Sequence, residues 1–266
     1  MRIIIITIII IITTDLLNDD FTSKYVLKAK KNAGPVAFTI ETEQDKSGAL
    51  SSKVGTKYSF AKFSLDKGQL KGDGSRILET SFKVSPDIKV SFKGGKGADL
   101  CFDYTKGSLF ATGVVDVMEM SKISSSVCMG MPSGLKVGGD ATYSLSGSSG
   151  LAGFNFGASY ATGPMFASVT ATSKSTVNLG LLYKVNGDLT LASSTTHAGD
   201  KLCTVHGVGL SYKLASVGTI KAKYDGNHVL SACLTRDLAP KVTLTASGAM
   251  SVSDPATFKP GFTLTI

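Results

Sequence analysis

The segment FKPGFTLTI, Phe258–Ile266, decides how the rest of the chain is read. Phe258, Phe262, Leu264 and Ile266 share one parity, while Lys259, Gly261, Thr263 and Thr265 share the other. Alternation with a period of two is the pattern of a β-strand with one apolar and one polar face, and here it runs to the last residue. Terminal residues normally fray and are polar. An apolar strand with an open edge also invites aggregation. The segment is therefore expected to have a strand on each side, as the closing strand of a sheet that returns to its start.

The same alternation fills the chain from about residue 23. PVAFTIETE sets Val36, Phe38 and Ile40 against Thr39, Glu41 and Glu43. DIKVSFKG sets Ile88, Val90 and Phe92 against Lys89, Ser91 and Lys93. GLKVGGDATYSL, GFNFGASY and KVTLTASGAM repeat the pattern. Short clusters of Gly, Asn, Asp, Ser and Pro separate these segments, and VNGD (Val185–Asp188) and YDGN (Tyr224–Asn227) are hairpin signals. No helical periodicity and no domain linker interrupt the series. A soluble sandwich would alternate in the same way but normally needs seven to nine strands. At the spacing of membrane barrels, residues 23–266 hold roughly 18 to 20 strands. So many hairpins need closure to remove their edges. A barrel that wide encloses an aqueous channel, with its polar face inward and its apolar face toward lipid. The fold class read from the sequence is thus all-β, a transmembrane barrel over 23–266, preceded by a short N-terminal segment, 1–22.

Composition agrees. Of 266 residues only 18% are charged, tryptophan is absent, and the mean hydropathy is +0.17. Those values exclude a disordered chain. The net charge of +8 favours anionic partners. The basic residues are dispersed, so no nucleic-acid footprint is read. Cys101, Cys128, Cys203 and Cys233 form no CxxC and are read as free thiols. Nucleophile-elbow, zinc-protease, P-loop and dinucleotide motifs are absent. The three histidines, His197, His206 and His228, are scattered. The reading is therefore of a non-enzyme with no cofactor and no metal. Ile3–Ile12 is too short for a transmembrane helix. It has the length of a signal-peptide core, yet no small-residue cleavage site follows it.

The ending Lys259-x-Gly261-x-x-Leu264-x-Ile266 resembles the C-terminal sorting signal of mitochondrial outer-membrane barrels. A longer stretch, YKLASVGTIKAKYDGNHVLSACL (Tyr212–Leu234), resembles the eukaryotic porin signature. Tyr212, Ser216, Ala222, Lys223, Asp225, Ser231, Ala232 and Leu234 fit it, whereas Ala215, Gly218, Tyr224 and Gly226 depart. DLLNDDF (Asp15–Phe21), the region around KYSFAKFSLDKG (Lys57–Gly68) and YKVNGDLTLASSTTHAGD (Tyr183–Asp200) are also similar to voltage-dependent anion channels. The resemblance covers residues 15–266. It implies nineteen strands with a parallel pairing of the first, about Tyr25–Lys31, and the last, Phe258–Ile266. It also implies the mitochondrial outer membrane, assembly by the barrel sorting machinery, and passage of ATP, ADP, phosphate and chloride.

Two features depart from that family. Its amphipathic N-terminal helix, which folds into the pore and takes part in gating, is matched only by Asp15–Phe21, because Ile3–Ile12 is apolar on every face. A lipid-facing acid that some relatives carry on the fourth strand is not carried over, since Phe63 and Leu65 occupy that face.

Parity assigns the pore lining. Lys28, Lys30, Lys83, Lys89, Lys93, Lys136, Lys184, Lys213, Lys221, Lys223, Lys241 and Lys259 fall on the polar face, opposed by Glu41, Glu43, Glu79, Asp140 and Asp225. A basic lining favours anions without a tight site. The function read from the sequence is a voltage-gated, weakly anion-selective metabolite channel. The competing reading with the same barrel is a protein-import pore, which should carry acidic tracks and a longer N-terminal extension. The expected partners are the lipid bilayer, anionic metabolites and the assembly machinery, with a homo-oligomer left open.

Overall fold

The computed structural model describes residues 16–147, 149–199 and 201–266, with the backbone alone at 201–205. Ile3–Ile12 and Asp15 lie outside the described residues. Nineteen strands follow one another among the described residues. The first ten are β1 (Tyr25–Ala33), β2 (Val36–Gln44), β3 (Leu50–Phe60), β4 (Phe63–Lys71), β5 (Arg76–Lys83), β6 (Ile88–Gly94), β7 (Ala98–Lys106), β8 (Leu109–Asp116), β9 (Lys122–Gly130) and β10 (Leu135–Ser144). The remaining nine are β11 (Gly150–Thr162), β12 (Met165–Thr172), β13 (Thr176–Lys184), β14 (Leu189–Ala198), β15 (Lys201–Leu214), β16 (Gly218–Asp225), β17 (Val229–Ala239), β18 (Val242–Ser251) and β19 (Lys259–Thr265).

Consecutive strands pair, and β1 pairs with β2 on one side and β19 on the other. The sheet therefore closes on itself as a nineteen-stranded β-barrel, as the alternation of the last segment requires. In an antiparallel meander with an odd strand count the first and last strands point the same way, so the closing pair must be parallel. It is, with Tyr25 opposite Phe262 and Lys28 opposite Thr265. The Phe262 amide donates to the Lys24 carbonyl at 2.9 Å, and the Ile266 amide to the Lys28 carbonyl at 2.8 Å. The rings of Tyr25 and Phe262 stack at 5.9 Å across that pair.

The described chain divides into two compact units. One holds Ala29–Glu41 and Ser51–Ala158; the other holds residues 16–28, Thr42–Leu50 and Ser159–Ile266. In the first, Phe82 and Phe102 stay 48% and 46% exposed, while Ser91 and Cys101 beside them are buried. In the second, Val169 and Leu179, opposite each other across β12 and β13, are exposed while Ser168 and Thr170 are buried. Large apolar side chains on the outside and small or polar ones buried is the inverse of a water-soluble fold, and is what lipid solvation requires. Among the described residues no helix is long and apolar enough to cross a membrane.

The turns sit where the sequence places them, but two are closed differently from two-residue Asn-Gly and Asp-Gly hairpins. Between β13 and β14 the Asn186 carboxamide oxygen accepts the amides of Asp188 and Leu189 at 2.9 and 2.7 Å. Between β16 and β17 Asp225 accepts the amides of Asn227 and Val229, and the residue with positive φ is His228 at 60°, not Gly226. The side chain has taken over the capping work that glycine conformation would otherwise do. The same device closes β2 to β3, where hydrogen bonds from Ser47 and Ala49 hold the Asp45 carboxyl below its ordinary range.

Candidate functional site

Strand parity and register put the polar side chains on one face of each strand. Lys28 and Lys30 lie on β1, Lys83 on β5, Lys89 and Lys93 on β6, and Lys136 on β10. Lys184 ends β13, Lys213 lies on β15, Lys221 and Lys223 on β16, and Lys259 opens β19. Lys241 is a correction. It sits in the turn between β17 and β18 with φ of 71°, so it has no strand face to share. The pairing of Ala239 with Val242 leaves Pro240 and Lys241 as a two-residue loop, and strand alternation cannot be carried through it.

Lys53 and Lys122 join the polar face, where strand parity would have found them; Lys67 and Lys71 share the odd parity of Phe63 and Leu65 and reach that face only because the bulge at Asp66 shifts the alternation of β4. So do acids that the sequence reading passed over: Asp66, Asp99, Asp103, Asp116 and Asp237. Some charges are paired. Lys24 meets Glu43 at 3.0 Å, Lys53 meets Glu41 at 2.6 Å, and Lys89 meets Asp66 at 3.3 Å. Glu79 is opposite Lys67 on one side and Lys93 on the other. Lys83 lies directly opposite Lys89, so two like charges face each other across β5 and β6. That arrangement is unfavourable unless an anion or solvent screens it. Lys83, Lys93, Lys136, Lys184 and Lys213 form no ion pair among the described residues.

Asp66 clarifies the acid expected to be missing from the lipid-facing side of β4. The register shifts between Leu65 and Lys67, and Asp66 is the extra residue of that bulge. It points to Lys89, while Phe63 and Leu65 keep the other face opposite Phe82 and Thr80.

The N-terminal segment meets the polar face in the second unit. Residues 16–18 are helical. Leu16 and Leu17 are buried in a cluster with Phe166 of β12, Leu182 of β13 and Ala192 of β14. Gly209 of β15 completes the seat, since a Cβ there would lie 2.6 Å from the Leu17 side chain. Charge continues the contact. The Lys221 ammonium meets Asp20 at 2.6 Å, and the Lys223 ammonium sits 4.7 Å above the Phe21 ring. Lys221 and Lys223 thus hold the chain entering the barrel, a role that parity alone did not reveal.

Among the described residues no group of three or more His, Cys, Asp or Glu side chains is placed to hold a metal ion. His206 shares a hydrogen bond with the Thr195 hydroxyl at 2.8 Å, and His228 with the Tyr224 hydroxyl at 2.6 Å. Cys101, Cys128 and Cys233 are free, buried thiols.

The sequence profile of one family, described as eukaryotic porin, matches residues 9–261. No curated protein sequence matches. Solved structures similar to this chain include OmpT, an outer membrane protein of Vibrio cholerae, at 13% identity and a TM-score of 0.37 over 85% of this chain and 83% of that one. A loop L8 deletion mutant of OmpT is similar at 13% identity and a TM-score of 0.36, over 85% of this chain and 90% of that one.

Proposed function

The chain belongs to the eukaryotic porin family, and from that premise we propose that it is a voltage-gated, weakly anion-selective channel of the mitochondrial outer membrane. It passes chloride, phosphate, ADP and ATP by diffusion. Family membership and the closed barrel make it a porin-type pore in a lipid bilayer. The observation that carries the selectivity is the set of polar-face lysines that form no ion pair among the described residues: Lys83, Lys93, Lys136, Lys184 and Lys213. In a wet channel each of these charges is screened over about 8 Å, so the preference is modest and an anion that enters also leaves. The acids on β7, β8 and β10 weaken it further.

Gating, in this reading, uses the seat of Leu16 and Leu17 and the Asp20–Lys221 pair. A helical turn held by a few apolar contacts and one partly exposed ion pair is cheap to release. The C-terminal residues Lys259, Gly261, Leu264 and Ile266 serve as the signal read by the barrel sorting and assembly machinery.

Planar-bilayer recording of the refolded chain in a KCl gradient tests the proposal. The expected result is a large conductance with a reversal potential on the anion side, closure at both polarities, and loss of the anion preference when Lys83, Lys93 and Lys136 are all changed to Glu. Cation preference with block by basic peptides would instead support the import pore.

A further inference from the structure

We infer that the polar face of β9–β11 holds a site for one monovalent cation, formed by the Asp140 carboxylate and the Ser126 hydroxyl. Asp140 and Ser126 are directly opposed across β10 and β9, and both are more than nine-tenths buried, at 6% and 3% exposure. Each carries an oxygen with no hydrogen-bond partner, Asp140 Oδ2 and Ser126 Oγ. The other carboxylate oxygen, Oδ1, accepts from the Asn155 amide nitrogen at 2.8 Å, which fixes how the group is turned.

The neighbours leave the charge uncompensated. On the same face Asp140 is flanked by Gly138 and Thr142, and Ser126 by Ser124 and Cys128. Thr142 and Ser124 are engaged with each other at 3.0 Å. Beyond Ser126 stands Thr112, whose hydroxyl donates to Asp103 at 2.9 Å. None of these groups is cationic. The nearest lysines along the strands are Lys136 and Lys122, the latter opposite Ser144. Each lies four residues along from Asp140, about 13 Å away at strand rise. A buried carboxylate without a counter-charge is among the costliest arrangements in a protein, and it is relieved by a cation or a proton. Two orphan oxygens side by side on one face offer a cation hard oxygen ligands. One carboxylate matches a single positive charge, whereas a divalent ion would leave the buried site with a net charge. Potassium and sodium are the ions of that class.

The inference goes beyond the anion preference proposed above and is read without any conductance. Crystals of the full chain, soaked in a thallium(I) salt as a potassium surrogate, should show an anomalous peak within bonding distance of Asp140 Oδ2 and Ser126 Oγ. Asp140→Asn should abolish it. Ser126→Ala, which keeps the carboxylate and the Asn155 bond, should lower its occupancy several-fold, and that variant decides the matter if Asp140→Asn does not fold. A light-atom peak without anomalous signal, the ammonium of Lys136 or Lys122 on Asp140, or an empty site with a protonated carboxyl would each overturn the inference.

Discussion

Gly261 lies so close to the Thr22 carbonyl that a Cβ on it would overlap that group, and Ser247 on the neighbouring strand donates its hydroxyl to the same carbonyl at 2.6 Å. Gly261 and Ser247 are register partners on the polar face of β19 and β18. Together they receive the chain just before it enters β1. The one glycine of the C-terminal signal therefore has a packing reason as well. Gly261→Ala should lower the melting temperature and the refolded fraction of the purified barrel in detergent, as read by circular dichroism and heat-modifiable gel mobility. Thr263→Ala, two residues along the same face, should change neither. Since no sorting machinery is present in that experiment, an unaltered Gly261→Ala would mean that the glycine serves recognition alone.

The Asp20–Lys221 pair joins residues 201 positions apart in sequence and is partly exposed, with side-chain exposures of 40% and 20%. Pairs of that kind are worth at most about 1 kcal/mol, and salt weakens them. Asp20→Asn and Lys221→Gln should each raise the frequency of closing events in single-channel records several-fold. The double variant should add little to either single change, and the difference from wild type should shrink in 1 M KCl, a concentration at which the screening length is about 3 Å. Independent, additive effects would show that the pair is not a functional unit.

Gly209 is the floor of the Leu16–Leu17 seat. A Cβ there meets the Leu17 side chain at 2.6 Å and the Ala222 carbonyl at 3.1 Å. Gly209→Val should displace the helical turn while leaving the strands in place. The expected readout is faster proteolysis of the N-terminal segment with an unchanged β-sheet spectrum. Unchanged protease resistance would mean that the seat does not hold the segment.

The barrel was legible because lipid-facing strands carry the plainest signal a sequence has, alternation with turns between. The closing role of Phe258–Ile266 follows from that pattern, whereas the start of β1 at Tyr25 was implied by the family resemblance. Alternation fails where a strand gains or loses a residue. Asp66 reads as polar-facing by luck of parity, yet its partner Lys89 is two strands away and reached only because β4 bulges there. Lys241 was placed on a face because the count ran through a turn. The seat of Leu16 and Leu17 was hidden for another reason. Phe166 and Leu182 are apolar residues on the polar parity of β12 and β13, and nothing in a strand pattern says what covers such exceptions. The acids of β7 and β8 were readable by parity and were passed over in favour of the more numerous lysines.

Cys101 and Phe102 are adjacent on β7 and divide the two solvents of the barrel between them, one 1% and the other 46% exposed. Phe102 lies mid-strand, opposite Val90 of β6 and Gly113 of β8, on the face that carries Leu100 and Tyr104. If that face meets acyl chains, a lysine at 102 must bring its charge into hydrocarbon, at a cost of about 2–4 kcal/mol near the bilayer midplane. Thr105, three residues on, is exposed on the opposite face. A lysine there remains in water and adds to a lining that is already basic. Reversible urea unfolding in lipid vesicles should therefore show Phe102→Lys strongly destabilised and Thr105→Lys close to wild type, while the second alone shifts the reversal potential further toward anions. Equal costs for the two substitutions would mean that the apolar face of β7 does not meet lipid.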